Sequence, residues 1–324
     1  MSADRQRSAQ TAAAGAASVG GAAGSSGVIH DIGYRSYDGL RLGRAQIVRA
    51  LCWHSLRSAF GIGRGIKAKI VPLLTFVIMC LPAVVDVAVI AISRSPTRQI
   101  SYDTYVPQLR ILVLLVFIAA QAPELVSRDL RSHCLPLYFA RPIRRIDYPA
   151  AKLAAFFLAC LAMIEIPLLL LYLGTITQVR GTSVIWRETR ALIPGLLLGV
   201  AWALVLAGLG LLLASLSGRR AYATGAVAIF FFLTWTLATL LTQIGEHGIG
   251  PAPPGAAPSA LARLAGLISP FTDLDGLRMW LGGTTPGQIP NPGHFGPLYG
   301  LMFLIFLATG IGGLAVRYRR VGVA

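Results

Sequence analysis

The fold of this chain follows from one charged block, PELVSRDLRSHCLPLYFARPIRRIDYPAAK, at residues 123–152. The apolar run before it is VPQLRILVLLVFIAAQAP, and the apolar run after it is LAAFFLACLAMIEIPLLLLYLG. Each run is close to the roughly 20 residues that a helix needs to cross the hydrocarbon core of a bilayer. The block is therefore predicted to be a loop at one membrane face, between two spans. Within it, ELVSRDLRSHCLPLY is compatible with a short helix against that face, ending near Pro136 or Pro142.

The charge of the block predicts the face on which it lies. Its basic residues outnumber its acidic ones, and they are Arg128, Arg131, Arg141, Arg144, Arg145 and Lys152. Short basic loops stay on the cytoplasmic side of a membrane. Under the topology given below, 21 of the 29 lysines and arginines of the chain lie on that side. Both termini are therefore expected to be cytoplasmic.

The composition is that of a membrane protein. Hydrophobic residues make up 55% of the chain and charged residues 13%, with a mean hydropathy of +0.66. A soluble globular domain is less apolar than this. We predict an all-α polytopic membrane protein with six transmembrane helices preceded by an amphipathic interfacial helix. The spans are placed at about residues 70–92, 106–123, 152–174, 190–215, 221–243 and 297–317.

Three further segments complete this topology. Residues 1–40 contain a low-complexity run of Ala, Gly and Ser and are predicted to be a disordered cytoplasmic tail. From Arg44 to Phe60, apolar residues recur every three or four positions, which predicts an amphipathic helix in the membrane interface. Residues 244–296 are predicted to be extracytoplasmic. They begin with a Pro/Gly-rich loop and then offer two short amphipathic helices, in SALARLAGLI and DLDGLRMWL.

The chain lacks the motifs of the common enzyme classes. It contains no Gly-Lys dipeptide, so it has no G-x-x-x-x-G-K-[ST] loop to cradle a nucleotide phosphate. Its five histidines are scattered without metal-binding spacing, and no G-x-S-x-G motif marks a nucleophile. The sequence therefore predicts no catalytic, cofactor-binding or metal-binding residue. The net charge of +16 is explained by cytoplasmic-face arginines, and no nucleic-acid partner is expected.

Two segments resemble the membrane subunits of type-2 ABC exporters. In that family, the loop after the second span carries acidic residues, a basic residue, a leucine-rich turn, an Arg-Pro step and a lysine that opens the third span. The matching positions here are Glu124, Asp129, Arg131, Leu135, Leu137, Arg141-Pro142 and Lys152. The second segment, ISPFTDLDGLRMWLGG at residues 268–283, is similar to the family's segment before the last span. The resemblance covers about residues 40–320.

The resemblance implies a fold, partners and a set of site residues. Residues 41–324 would form a type-2 ABC exporter permease domain in the cell (inner or plasma) membrane. Two permease subunits, identical or related, would work above separate ATPase subunits among membrane lipids. ATP and Mg²⁺ would belong to the ATPase, with no cofactor on this chain. Glu124, Asp129 and Arg131 are then candidates for coupling to the ATPase.

Two carboxylates lie inside predicted spans. At 1.5 Å per helical residue, Asp86 and Glu165 are roughly 25 and 20 Å from the inner face. Burying a charge there is costly, so intramembrane carboxylates usually face the bundle interior or water. Both are candidates for the translocation path. Alternatively, each is a protonated group bonded to a neighbouring helix, or Asp86 reaches the outer interface.

Two other functions remain open from sequence. One is an integral membrane enzyme that modifies lipids, which would need a polar catalytic cluster near one interface. The other is a non-transporting membrane anchor that recruits an ATPase. Transport implies that a change at the ATPase reaches the spans, whereas an anchor requires attachment alone.

Overall fold

The computed structural model describes most of the membrane domain. The described residues are 39, 43–93, 100–105, 110–132, 138, 143–247, 258–282 and 287–320. The predicted disordered tail therefore lies outside them, apart from Gly39. Parts of the 123–152 block and of the 244–296 segment also lie outside them, including Leu135, Leu137 and Arg141-Pro142.

The described residues are mostly helical and contain no β-strand. Their α-helices are α1 (Arg44–Ala59), α2 (Ile66–Ser93), α3 (Arg110–Arg131), α4 (Asp147–Gln178), α5 (Thr182–Ser215), α6 (Arg220–His247), α7 (Ala260–Ala265), α8 (Pro270–Trp280) and α9 (Gly296–Arg320). Short 3-10 turns lie at Gly266–Ile268 and Gly293–Phe295. Six helices, α2 to α6 and α9, are long and apolar enough to cross a membrane. This indicates a multi-pass membrane protein with the six spans that the sequence predicts.

Each span helix extends beyond at least one of its predicted boundaries, because a helix can continue past the hydrocarbon core into the interface. The largest difference concerns α3. The predicted second span ends at residue 123 and a separate short helix follows it, whereas α3 passes Pro123 and ends at Arg131. These extra turns pack against α5, where the Ser127 hydroxyl donates a 2.8 Å hydrogen bond to the Ala214 carbonyl. The tertiary contact therefore replaces the expected surface helix with a longer span helix.

Helix α1 confirms the helix predicted before the first span, whereas its place in the membrane interface stays a prediction. Leu51, Ser55 and Ala59 are buried along one side, and this side packs against α4 and α3. The Arg44 guanidinium binds both carboxylate oxygens of Asp147, at 2.6 and 2.5 Å, and so joins α1 to the start of α4. The helix is therefore attached to the span bundle by apolar burial and by one bidentate ion pair.

The ends of the span helices that carry basic residues lie close together. Ion pairs join the segment before α2, the last turns of α3 and the first residues of α4 and α6. The Tyr148 ring of α4 also contacts the Tyr318 ring of α9, with centroids 5.2 Å apart. We call this the basic end of the bundle. The loop at residues 100–105 and helices α7 and α8 lie at the opposite end.

Helix α8 is not the amphipathic helix that the sequence predicts, because residues Pro270 to Met279 present no solvent-exposed face. Every residue from Pro270 to Met279 is buried. Ser269 caps its N-terminus by accepting a hydrogen bond from the Phe271 amide, and Pro270 occupies the first turn. Phe271 packs against Trp202 of α5 and Phe231 of α6, with both ring centroids 5.5 Å away. The helix therefore seals the end of the bundle between these spans.

Candidate functional site

Glu124 lies at the centre of a charge cluster at the basic end. Its carboxylate pairs with Arg64, which precedes α2, and with Arg220 of α6 at 3.0 Å. Arg128, one turn further along α3, is 3.6 Å away. The Glu124 side chain is only 10% exposed, whereas Arg128 and Arg220 are about two-thirds exposed. Burial and the neighbouring Arg128 and Arg220 lower the pKa of Arg64. One buried carboxylate thus joins α2, α3 and α6.

Asp129 belongs to a second, adjacent ion pair. Its carboxylate accepts the Lys152 ammonium at 2.8 Å and the Tyr148 hydroxyl at 2.8 Å. Lys152 is 6% exposed, so this pair is well shielded from water. Two of the three predicted coupling residues therefore hold helix ends together within the subunit. A partner that moves either carboxylate would also move the spans attached to it.

A crevice of about 600 Å³ opens beside these two pairs. It lies between α1, the turn at residues 61–65 and the adjoining ends of α3 and α4. The charged groups on its walls are mostly basic: Arg57, Arg64, Arg128 and Lys152 against Glu124 and Asp129. Exposed Arg57 takes part in no ion pair with another described residue. The crevice therefore offers an electropositive surface whose deeper wall is the Glu124 cluster.

The structure separates Arg131 from the other two predicted coupling residues. Arg131 ends α3 and is exposed. It lines a different groove, together with Arg219 and Arg220 at the start of α6. In the sequence, Glu124, Asp129 and Arg131 lie close together on one short segment. Along α3, however, positions 124 and 131 are two turns apart, and they border different cavities.

Glu165 lies inside the bundle, on α4 against α5. Neither of its carboxylate oxygens has a hydrogen-bond partner among the described residues. Gly199 of α5 makes room for this carboxylate, because a Cβ at residue 199 would overlap it. Beside it is a small cavity lined by Tyr102, Asp103, Gly195, Gly199 and Trp202, among others. Glu165 therefore lies between two spans, and its role on a translocation path stays a prediction.

We expect Gly199→Ala to destabilise the protein by about 1–3 kcal/mol, because the added methyl group would displace the Glu165 carboxylate. Glu165→Ala in the same chain should restore much of the loss by vacating that space. Thermal unfolding of the single and double variants in detergent measures this coupling. Gly312→Ala is the matched control, since a Cβ there meets no described atom within 4 Å. Equal effects of Gly199→Ala with and without Glu165 would contradict the contact.

Asp86 is buried near the other end of α2. It is 3% exposed, and its carboxylate accepts the Ile100 amide at 3.2 Å. Helix α2 continues to Ser93, so Asp86 lies about two turns from its end. The residue connects the end of the first span to the segment that follows it. The hydrogen bond from Ile100 thus gives the buried Asp86 carboxylate a partner, at the end of the bundle opposite to the basic end.

A third charge cluster was not found by sequence reasoning. The buried Arg278 of α8 pairs with Asp275 at 3.0 Å and with Asp103 of the 100–105 loop at 2.8 Å. Asp275 also accepts the Gln288 amide at 2.6 Å. Burial raises the pKa of Asp275, and the Arg278 guanidinium opposes this shift. The sequence signal for this cluster is the presence of two aspartates and an arginine inside an otherwise apolar segment.

Asp273 was also missed, and its environment differs from that of Asp275. It is fully buried, and neither carboxylate oxygen has a hydrogen-bond partner among the described residues. Burial raises the pKa of Asp273 to about 8. The side chain is therefore protonated at neutral pH. Two carboxyl groups of one helix, two residues apart, thus have different surroundings: Asp275 pairs with Arg278, whereas Asp273 has no hydrogen-bond partner among the described residues.

The described residues offer no metal centre, because none of their His, Cys, Asp and Glu side chains form a group of three that could hold an ion. The polar residues at the basic end form ion pairs that border an open crevice. No protein-family model matches this chain, and no curated protein sequence matches it.

Proposed function

We propose that this chain is the permease subunit of an ATP-driven exporter of the type-2 ABC class. The observation that carries the proposal is the crevice beside the Glu124 cluster. A partner bound there would contact α1 and the end of α3 while lying next to ion pairs that reach α2, α4 and α6. Such an arrangement suits a subunit that receives movement from a motor.

The ion pairs suggest how such movement reaches the spans. Packed helices shift as rigid bodies between discrete arrangements. A push on the crevice wall would move the Arg64–Glu124–Arg220 connection and so shift the first turns of α2 and α6 together. The Asp129–Lys152 and Arg44–Asp147 pairs would carry α4 and α1 with them. The substrate would pass between spans and other subunits, with Glu165 as a polar point on its path.

The division of labour between subunits is the one that the resemblance implies, and this sequence contains no G-x-x-x-x-G-K-[ST] loop of its own. ATP and Mg²⁺ bind the partner ATPase, and this chain supplies the membrane path and the coupling surface. A second permease subunit, identical or related, would complete the path. The basic end would face the cytoplasm, because basic residues are retained there during insertion.

The test starts from the chain purified out of its native membranes. We expect a separate ABC ATPase to co-purify, and ATP hydrolysis to disappear when that subunit is removed. Arg57→Glu should weaken this attachment at least tenfold, because it reverses one exposed charge of the crevice without breaking an ion pair between described residues. Arg187→Glu is the matched control, since that arginine is at the opposite end of the bundle.

The outcomes separate the three functions. Hydrolysis by this polypeptide alone would overturn the assignment. Attachment of the ATPase without ATP-dependent efflux from membrane vesicles would identify an anchor instead of a transporter. Modification of added lipid by the purified chain, with no ATPase bound, would identify an enzyme.

A further inference from the structure

A second cavity at the basic end is not explained by the proposed function. It is an open groove of about 1360 Å³ between the end of α3 and the start of α6. The turn before α6 lies against α3, because a Cβ built on Gly218 would be 3.9 Å from the Arg131 backbone nitrogen. This contact brings Arg131, Arg219 and Arg220 together at one end of the groove, which we call its mouth.

Two of these three arginines carry charge that no described carboxylate neutralises. Arg220 pairs with Glu124, whereas Arg131 and Arg219 form no ion pair with another described residue. Arg219 instead lies over the Tyr222 ring, 5.9 Å from its centroid. The guanidinium group binds phosphate oxygens through two parallel hydrogen bonds. The mouth of the groove therefore has the chemistry of a phosphate site.

The rest of the groove is apolar and runs along the spans. Its lining residues besides the arginines are Ala120, Leu130, Gly218, Ala221, Thr224 and Gly225. Ala120 is 11 residues before Arg131, or roughly 16 Å along the helix. This length is close to one leaflet's share, about 15 Å, of the hydrocarbon core. A ligand that fits both parts has an anionic head and an apolar chain.

We propose that this groove binds an anionic phospholipid of the leaflet at the basic end. Its phosphate would lie between Arg131 and Arg219, and an acyl chain would lie along α3 and α6 past Gly225. Basic pockets between transmembrane helices select anionic headgroups in this way. An acidic protein surface would satisfy the arginines but would leave the apolar part of the groove without a partner.

The experiment compares two lipids on the purified full chain in detergent. Native mass spectrometry measures the dissociation constants of phosphatidylglycerol and phosphatidylcholine with identical acyl chains. We expect phosphatidylglycerol to bind roughly 10- to 30-fold more tightly, from about one charge contact for each unpaired arginine. The double variant Arg131→Gln/Arg219→Gln should reduce this preference to less than about threefold.

Two further variants separate the headgroup from the chain. Arg319→Gln/Arg320→Gln removes the same charge from exposed positions of α9 outside this groove, and it should keep the preference. Gly225→Trp should weaken both lipids about equally by filling the groove. A Cβ there meets no described atom within 4 Å, so the new side chain leaves the helix without a clash at its first carbon. Unchanged helical circular dichroism and a single elution peak show that each variant is folded.

Three results would overturn the proposal. The first is equal affinity of the wild-type protein for the two lipids. The second is a preference that survives in the Arg131/Arg219 double variant or disappears in the Arg319/Arg320 control. The third is loss of ATPase attachment in the Arg131/Arg219 double variant with its lipid preference intact, which would make the groove a protein interface.

Discussion

Asp273→Asn is expected to stabilise the protein, and to do so increasingly as the pH rises. The Asp273 carboxyl is fully buried without a hydrogen-bond partner among the described residues, and its pKa is raised to about 8. In the unfolded chain it titrates near its ordinary value of 3.8. Between these two pH values the folded state holds a proton that the unfolded state has lost. Folding stability therefore falls as the pH rises through this window.

The size of the effect follows from the same two pKa values. Each pH unit between them costs about 1.36 kcal/mol. From pH 5 to pH 9 the wild-type protein should lose about 4 kcal/mol more than the Asp273→Asn variant, whose amide does not titrate. Thermal unfolding in detergent at both pH values, followed by tryptophan fluorescence, measures the difference. Parallel pH profiles of the two proteins would show that Asp273 is not the titrating group.

Asp275→Asn is the matched control for this prediction, because it changes the same atoms two residues along the same helix. Asp275 pairs with the buried Arg278 and accepts the Gln288 amide. The substitution leaves the buried Arg278 paired with Asp103 but without its second carboxylate, so we expect a loss of about 2–3 kcal/mol. The two substitutions should therefore have opposite signs at pH 9. Destabilisation by both substitutions would contradict the burial of Asp273 without a hydrogen-bond partner.

The second large effect is expected for Glu124→Gln, which should destabilise the protein by about 2–3 kcal/mol. The substitution leaves the partly buried Arg64 beside Arg128 and Arg220, with no carboxylate to separate them. Breaking a buried ion pair costs about 3–5 kcal/mol, and the exposure of Arg220 reduces this figure. Because the carboxylate joins α2, α3 and α6, the variant should also lose stimulation of the proposed partner's ATP hydrolysis.

Arg128→Gln provides the comparison for Glu124→Gln. Arg128 also contacts Glu124, but at 3.6 Å and with 65% of its side chain exposed. Exposed pairs of this kind are worth about 0–1 kcal/mol. Melting of both variants in the same detergent, together with ATPase activity in the same membranes, separates the two contributions. A loss of stability that is equal in the two variants would remove Glu124 from the centre of the cluster.

The sequence alone determined the number of spans and the amphipathic helix before them. Both depend on local quantities: the length of apolar runs against the thickness of the bilayer, and the three- to four-residue spacing of apolar side chains in α1. It also identified Glu165 as an intramembrane carboxylate, because composition shows which charges lie within an apolar run. Its proposed role on a translocation path stays a prediction.

The tertiary structure decided how distant parts of the chain combine. Glu124 and Arg220 are 96 positions apart, and no local pattern indicates that they pair. The same holds for Asp103 and Arg278, separated by 175 positions, whose contact lets α8 be buried instead of lying in an interface. Contacts with α5 extend α3 past Pro123, and the turn before α6 places Arg131 in its own groove. A helical wheel gives the face that is apolar, but only packing shows which neighbour covers it.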